Sequence, residues 1–263
     1  MNIEYKNKKL SLVGTGIKTL SHLTKEAEAH IKQADIVLSL VNEPVMMEWI
    51  EKYSKKNINL DKIYFNSKER KDSYSNITEF ILKALNEYDF VCTVFYGHPT
   101  VFASPGVEAI KKADDLGVET FILPGISAED CMFADLKINP GDCGCFSVEA
   151  MDLILYNRNF DKNSHLIIWQ VAMIGNIGHS KGVNKEAVKI LNEHLLDIYP
   201  KNHSVYLYEA SIYPGMRCRT LKVELVNLSL QEFTTITSLY IPPLDKSLIQ
   251  PEILKRIKDC STN

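Results

Sequence analysis

The sequence predicts an α/β protein of two domains, with a mainly parallel N-terminal sheet and a mixed C-terminal sheet. Two observations carry this. Over roughly residues 8–125, short apolar runs alternate with amphipathic helical stretches, the pattern of a parallel sheet covered by helices on both faces. Beyond that point strand-like runs succeed one another around a single long helix, which suits partly antiparallel pairing. The expected division is an α/β domain over 1–125, a mixed domain over 126–243 and a short helical tail over 244–263.

The elements follow in order. "KLSLVGTG" reads as the first strand, and "LTKEAEAHIKQA" as a helix capped by Ser21 or Thr24. "DIVLSLV" is the second strand, followed by "PVMMEWIEKYSKK", a helix opened by Pro44, whose fixed φ suits a first turn. "NINLDKIY" is the third strand, with Tyr64 at its end. In "DSYSNITEFILKALNEY" the apolar Ile77, Phe80, Ile81, Ala84 and Leu85 recur at helical spacing. "DFVCTVFYG" is the fourth strand, "GVEAIKKADDLG" a helix stopped by Gly117, and "VETFILPG" the fifth strand. In the second domain "GCFSVEA", "SHLIIWQVAM", "SVYLYEAS", "RCRTLKVEL" and "TSLYIPP" are strand-like, and "NKEAVKILNEHLLDIY" is the long helix. "PEILKRIKDC" predicts a final helix with Pro251 in its first turn.

Composition narrows the function. The chain has 263 residues, 45% apolar and 24% charged, which suits a globular protein with a sizeable core. A net charge of −3 lacks the basic excess that phosphate tracking needs, so nucleic acid is disfavoured as a partner. Six cysteines form no C-x-x-C pair, and seven histidines are scattered without an i, i+4 pair, so no metal site is expected. Cysteines read as reduced thiols, and an N-terminus without an apolar core, point to the cytoplasm. The longest apolar run, around "HLIIWQVAMIG", is too short to cross a membrane.

Several stretches could form a site, and each has a plainer reading beside it. "LVGTGI" at 12–17 has two of the three glycines of a dinucleotide loop, with Thr19 in the third place. No acidic residue ends the second strand, so a tight turn accounts for the glycines equally well. In "VFYGHPTVFASPG" a buried strand breaks into a loop holding Tyr96 and His98, at the strand end where α/β proteins bind ligands. A lone histidine there is either structural or a ligand contact. "LPGISAED" offers backbone N–H groups and Ser127 to a polar ligand, or Ser127 simply caps a helix. In "SKERKDSYSN" Arg70 and Tyr74 share a face if the helix starts by Arg70. With Tyr64 they would place a fixed cation and phenols in one cleft. Otherwise the stretch is a solvated charged loop.

Taken together, "LVGTGI", "FYGHPTVFASP", "LPGISAEDCMFADLKINPGDCGC", "SHLIIWQVA", "YEA" and "TSLYIPP" stand in the order found in the tetrapyrrole methylase superfamily. The chain resembles these class III methyltransferases over roughly residues 10–243. Within them it is more similar to the borosin peptide backbone α-N-methyltransferases, since it has Gly97-His98-Pro99 where corrin and diphthamide methylases carry an acidic G-D-P loop.

The resemblance implies that S-adenosylmethionine lies folded in a cleft between two domains. It implies cofactor contacts from Tyr96, His98, Val101 and Ala103, from Ser127 and Ala128, and from Gln170, Ala210, Thr237 and Ser238. It assigns catalysis to Arg70, Tyr74 and Tyr96, with Tyr64 as a nearby phenol. Fungal members carry another tyrosine where this chain has Asp61. They also carry their own substrate after the catalytic region, whereas "LDKSLIQPEILKRIKDCSTN" is charged and unlike a core peptide. The expectation is therefore a split enzyme, working as a homodimer on a separate precursor peptide. The alternatives are a small-molecule methylase of the tetrapyrrole kind and a non-catalytic cofactor-binding module.

Overall fold

The computed structural model describes residues 5–67, 69–176, 182–245 and 249–260. Its chain divides into two units. The first holds residues up to Ile138 together with Ala210–Arg219, and the second holds Asn139–Gly175, Gly182–Glu209 and the chain from Thr220.

The first unit is built on five strands: β1 (Lys9–Gly14), β2 (Ile36–Leu40), β3 (Asn57–Asn59), β4 (Phe90–Phe95) and β5 (Glu119–Leu123). They pair in the order β3-β2-β4-β1-β5, and every pair is parallel. The period-two alternation of side chains sorts these strands onto two cores. Leu10, Leu12, Ile36, Leu38, Val91 and Phe95 face one layer, which is completed by helices α4 (Arg70–Glu87) and α5 (Ser104–Asp115). Val13, Val37, Cys92, Val94 and Leu123 face the other, packed by α1 (Lys25–Gln33) and α2 (Pro44–Tyr53). Both faces of the sheet are thus covered, which is why its strands read as continuous apolar runs.

This layering fixes where a ligand can sit. The helix after β1 lies on one face and the helix after β4 on the other, yet β1 and β4 are neighbours. The chain diverges at their carboxyl ends and leaves a crevice there, the position at which open α/β sheets bind ligands.

The local signals hold in most places. Thr24, the second of the two expected caps, accepts a hydrogen bond from the Ala27 N–H at 3.1 Å. Gly117 follows the end of α5 with φ +80°, a conformation that ends a helix cheaply only for glycine. The third strand departs from expectation. It stops at Asn59, and Asp61–Phe65 forms a short helix, α3, so Tyr64 lies on a helix and not at a strand end. The cause is local. The Asn59 Oδ1 accepts from the Asp61 N–H at 2.7 Å, turning the backbone, and fully buried Leu60 pins the turn to the core. The next helix begins at Arg70, two residues before the stretch whose spacing predicts it. Arg70 and Tyr74 therefore fall one turn apart on α4.

The second unit carries a five-stranded mixed sheet in the order β6-β7-β10-β8-β9. The strands are β6 (Cys145–Glu149), β7 (His165–Trp169), β8 (Ser204–Glu209), β9 (Arg219–Glu224) and β10 (Ser238–Ile241). β6 and β7 are parallel, while β10 runs antiparallel to both β7 and β8. Leu166, Ile168, Leu207, Leu239 and Ile241 form one core with Val188, Leu191 and Leu195 of the long helix α8 (Lys185–Leu196). Two short elements escape the sequence reading. These are α6 (Ala128–Leu136) in the first unit, of which only the start was legible, and α7 (Ala150–Leu155), whose N-terminus the Glu149 carboxylate caps. The last helix, α9, spans Pro251–Cys260, and all of its residues are exposed. No helix among the described residues is long and apolar enough to cross a membrane.

Candidate functional site

Three loops meet at the carboxyl ends of β4, β1 and β5, and they meet through glycine. Gly16 and Gly97 exchange backbone hydrogen bonds of 3.0 and 3.2 Å across the crevice. A Cβ on Gly14 or Gly125 would stand 2.3 or 2.4 Å from the Gly97 carbonyl oxygen, well inside contact distance. Close backbone approach is the structural use of "LVGTGI", and its incomplete dinucleotide pattern needs no further explanation.

Beside these loops is a pocket of about 380 Å³ in the first unit. Tyr64 from α3, Tyr74 from α4 and Tyr96 from the loop after β4 line it, together with Val101 and Ala103. Five of the residues singled out from sequence are thereby brought together. The rings of Tyr64 and Tyr74 stack with centroids 6.1 Å apart, and Phe65 meets Tyr64 edge-on at 4.9 Å. Ser73 helps to hold this arrangement, because its hydroxyl donates to the Tyr64 carbonyl at 2.6 Å and so ties α4 to α3.

Electrostatics in the pocket run against simple activation of a phenol. Burial raises the Tyr74 phenol above the usual tyrosine range, the neighbouring Tyr64 adds to this, and the Arg70 charge opposes it without prevailing. Burial also pushes Tyr96 up to about 12, with smaller contributions from Cys131 and Glu43. Both phenols are therefore protonated at neutral pH and act first as hydrogen-bond donors. Arg70 opens α4, and its Nε is buried with no hydrogen-bond partner. An unsatisfied buried donor costs free energy unless something bound there accepts from it.

Arg70 is not among the residues lining the pocket, and the remaining candidates lie outside it too. His98 is half-buried, and its Nδ1 sits 3.3 Å from the Thr100 N–H and 3.1 Å from the Thr100 hydroxyl, a bond within its own loop. Ser127 caps α6 in a reciprocal pair, accepting from the Asp130 N–H at 3.1 Å while the Asp130 carboxylate accepts from the Ser127 N–H at 2.7 Å. Ala128 is the first residue of that helix, and Ala210 opens the Ala210–Arg219 segment of the first unit. Gln170, Thr237 and Ser238 belong to the second unit. Gln170 holds a left-handed backbone at φ +56°, rare for a residue with a side chain and a form of strain that concentrates at functional positions. The Thr237 hydroxyl donates to the Glu209 carboxylate at 2.5 Å and accepts from the Thr234 N–H. Ser238 begins β10 opposite Tyr208.

Sequence reasoning missed several residues of the pocket wall. Asn42, Phe65 and Phe102 line it, and so does Asp61, which the sequence marks only as a departure from the family. Phe102 adopts φ +54°, a strained backbone at the pocket wall. Glu43, next to Asn42, is a buried carboxylate that accepts from the N–H groups of Val45 and Met46 and from Thr19, with the Tyr213 hydroxyl at 3.4 Å. Burial raises its pKa, but these hydrogen bonds outweigh that and hold it below the usual range. A signal existed for Asn42 and Glu43, since both follow the carboxyl end of a parallel strand. None existed for Phe65, whose place depends on α3. Among the described residues no group of His, Cys, Asp and Glu could hold a metal ion.

Comparison with known proteins bears on this site. Residues 9–218 match the family of tetrapyrrole (corrin/porphyrin) methylases. A methyltransferase/ribosomally synthesized type I borosin cyclic peptide precursor from Coprinopsis marcescibilis is 36% identical over 242 residues, covering 89% of this chain and 62% of that protein. A type III borosin precursor of the same description from Anomoporia bombycina is 36% identical over 249 residues, covering 93% of this chain and 29% of its own length. The chain thus spans less than two thirds of the curated relatives it matches. Among solved structures, the methyltransferase CobJ superposes with a TM-score of 0.64 at 16% identity, covering 93% of this chain and 98% of CobJ. Uroporphyrin-III C-methyltransferase from Thermus thermophilus gives 0.63 at 18% identity, covering 90% and 93%. At such identities these structures speak for the fold alone.

Proposed function

Because the chain belongs to the tetrapyrrole (corrin/porphyrin) methylase family, we propose that it transfers the methyl group of S-adenosylmethionine to backbone amide nitrogens of a precursor peptide separate from these residues. The observation that carries this reading is the grouping of three phenols in one pocket, with Arg70 one turn before Tyr74 on α4 acting on that phenol and carrying a buried Nε that lacks an acceptor. The borosin relatives, described as methyltransferase and peptide precursor in one chain, support the choice of acceptor.

The residues present fit the cofactor. Aromatic faces of Tyr64, Tyr74, Tyr96 and Phe102 line the pocket, and such faces attract a cation such as a sulfonium. In this proposal Tyr96, Val101 and Ala103 contact the cofactor at the pocket, His98, Ser127 and Ala128 from adjoining loops, and Ala210 from its own segment. Gln170, Thr237 and Ser238 are the contacts proposed on the second unit. When bound, S-adenosylmethionine supplies an electrophilic methyl carbon and a local positive charge.

The chain's own residues do the rest. An amide nitrogen is a poor nucleophile because its lone pair is delocalised into the carbonyl. Losing the N–H proton creates an imidate whose oxygen carries charge. Arg70, permanently cationic, donates to that oxygen, and its vacant Nε provides the donor. Tyr74, one helical turn on, takes the amide proton as phenolate. Its ionisation is opposed by burial and assisted by Arg70. Tyr96 stays protonated and holds the amide through a donated hydrogen bond, while Tyr64 fixes the Tyr74 ring by stacking. We assign the protein to the cytoplasm as a homodimer without nucleic-acid partners, in keeping with cysteines that form no disulfide among the described residues and a net charge of −3.

Two measurements test this. Calorimetry should show binding of S-adenosylmethionine or its demethylated product, and His98→Ala should weaken it. Tandem mass spectrometry of peptides incubated with protein and cofactor should then place methyl groups on backbone nitrogens. Binding of neither ligand by folded protein, or methylation confined to small-molecule acceptors, would overturn the assignment.

A further inference from the structure

The candidate site does not end at its own pocket. Phe65 is a wall common to that pocket and to a larger one of about 640 Å³ on its outer side. Tyr74 and Pro105 are walls common to it and to a third of about 200 Å³. The middle cavity, which holds the phenols, therefore adjoins one cavity against α3 and α4 and another against α4 and α5. A compact acceptor would use the middle cavity alone. Adjoining cavities divided by one or two side chains suit an extended peptide, with successive residues dropping into successive pockets.

The outer pocket has its own chemistry. Ile63, Phe65 and Phe80 give it an apolar floor, and Phe65 is 60% exposed, unusually bare for a phenylalanine beside a packed core. Asn76, Glu79 and Lys83 stand on its rim, spaced three and four apart, so they mark one face of α4. From Asn76 to Lys83 that face runs about 10 Å at the helical rise. Phe65 meets Tyr64 edge-on with centroids 4.9 Å apart, and Tyr64 stacks on Tyr74 at 6.1 Å, so the Phe65 ring lies within about 11 Å of the Tyr74 ring, roughly three residues of extended chain.

We propose that this outer pocket is a specificity subsite for the acceptor peptide, taking a bulky apolar residue about three positions from the methylated amide. The proposal rests on the peptide-methylating reading above. In it, the residues that select substrate are Phe65, Phe80 and the exposed face of α4. Glu79→Trp would fill the groove from a solvent-exposed helix position without touching the core or the pocket that holds the phenols.

The test uses full-length protein, cofactor and two peptides. One has a bulky apolar residue three places from the acceptor amide, and the other has glycine there. Wild-type protein should methylate the apolar peptide with a KM about tenfold or more below that of the glycine peptide, the worth of burying one large side chain. Glu79→Trp should raise KM for the apolar peptide to that of the glycine peptide, leaving kcat and the KM of the glycine peptide unchanged. Equal KM values for both peptides on wild-type protein, or a Glu79→Trp variant that keeps the preference, would overturn the subsite while leaving peptide methylation intact. Failure of wild-type protein to methylate either peptide, although it binds cofactor, would overturn both readings.

Discussion

Arg70 and Tyr74 are the residues on which the chemistry turns, and each has a distinct failure. Arg70→Ala removes the donor for the imidate oxygen, and loss of one such donor typically costs about 10²–10³ in rate. Tyr74→Phe removes the base and should cost at least as much. Neither residue is assigned to the cofactor, so calorimetry should show near-normal cofactor affinity in both variants. Near wild-type turnover by either variant would remove its role. The pH dependence separates the two roles further. Tyr74 works as phenolate, and burial holds its pKa above the ordinary range, so the rate should climb as pH rises toward and past that of a free tyrosine. Arg70 lowers that pKa, so the residual activity of Arg70→Ala should climb at still higher pH. A rate independent of pH through this range would exclude a phenolate base. At this scale the sequence was partly legible. The i, i+4 spacing of Arg70 and Tyr74 placed them on one face. The net upward shift of Tyr74 was not visible, since it comes from packing against α3, an element that read as strand.

Elements were legible where one signal dominates. The β1, β2 and β4 strands are buried on both faces and read as continuous apolar runs, and Pro44 and Gly117 mark helix ends by backbone geometry alone. Short helices were not legible, because five or six residues hold too few apolar positions to show a period. Thus α3 depends on the Asn59 turn and α7 on the Glu149 cap. The α6 start shows how a structural role can sit where a functional one is proposed. Ser127→Ala removes a cap that satisfies the Asp130 N–H, and should lower stability by about 1 kcal/mol, seen as a lower midpoint in urea. If Ser127 also contacts the cofactor, affinity measured well below that midpoint should fall as well. A stability loss with unchanged affinity would leave Ser127 a cap and nothing more.

At the scale of the whole molecule, the question is whether any of these residues serve as the chain's own substrate. The clearest candidate is the stretch after Pro243, since the borosin relatives are described as enzyme and precursor together. Its described part is residues 244–245 and 249–260, most of it α9, a ten-residue helix with Ile253, Leu254 and Ile257 among Glu252, Lys255, Arg256, Lys258 and Asp259. Within such a helix the backbone N–H groups are already donors, as in the Leu254 N–H to the Gln250 carbonyl at 3.0 Å. Methylating one would delete that hydrogen bond and crowd the preceding turn, as proline does, at about 3 kcal/mol. The helix would first have to unwind and enter a pocket lined with aromatic rings, carrying five charged side chains with it, and desolvating charge is costly. The expected outcome is that protein expressed with cofactor available carries no methyl groups on residues 249–260, while an apolar peptide added separately acquires them. The check is intact-mass measurement followed by tandem mass spectrometry, with the solution mass recorded in the same samples. Stepwise methyl-mass increments on backbone nitrogens of α9 would show that the chain modifies itself, and would refute the separate precursor. A lone unmodified protomer that methylates the added peptide would keep the separate precursor and remove the homodimer.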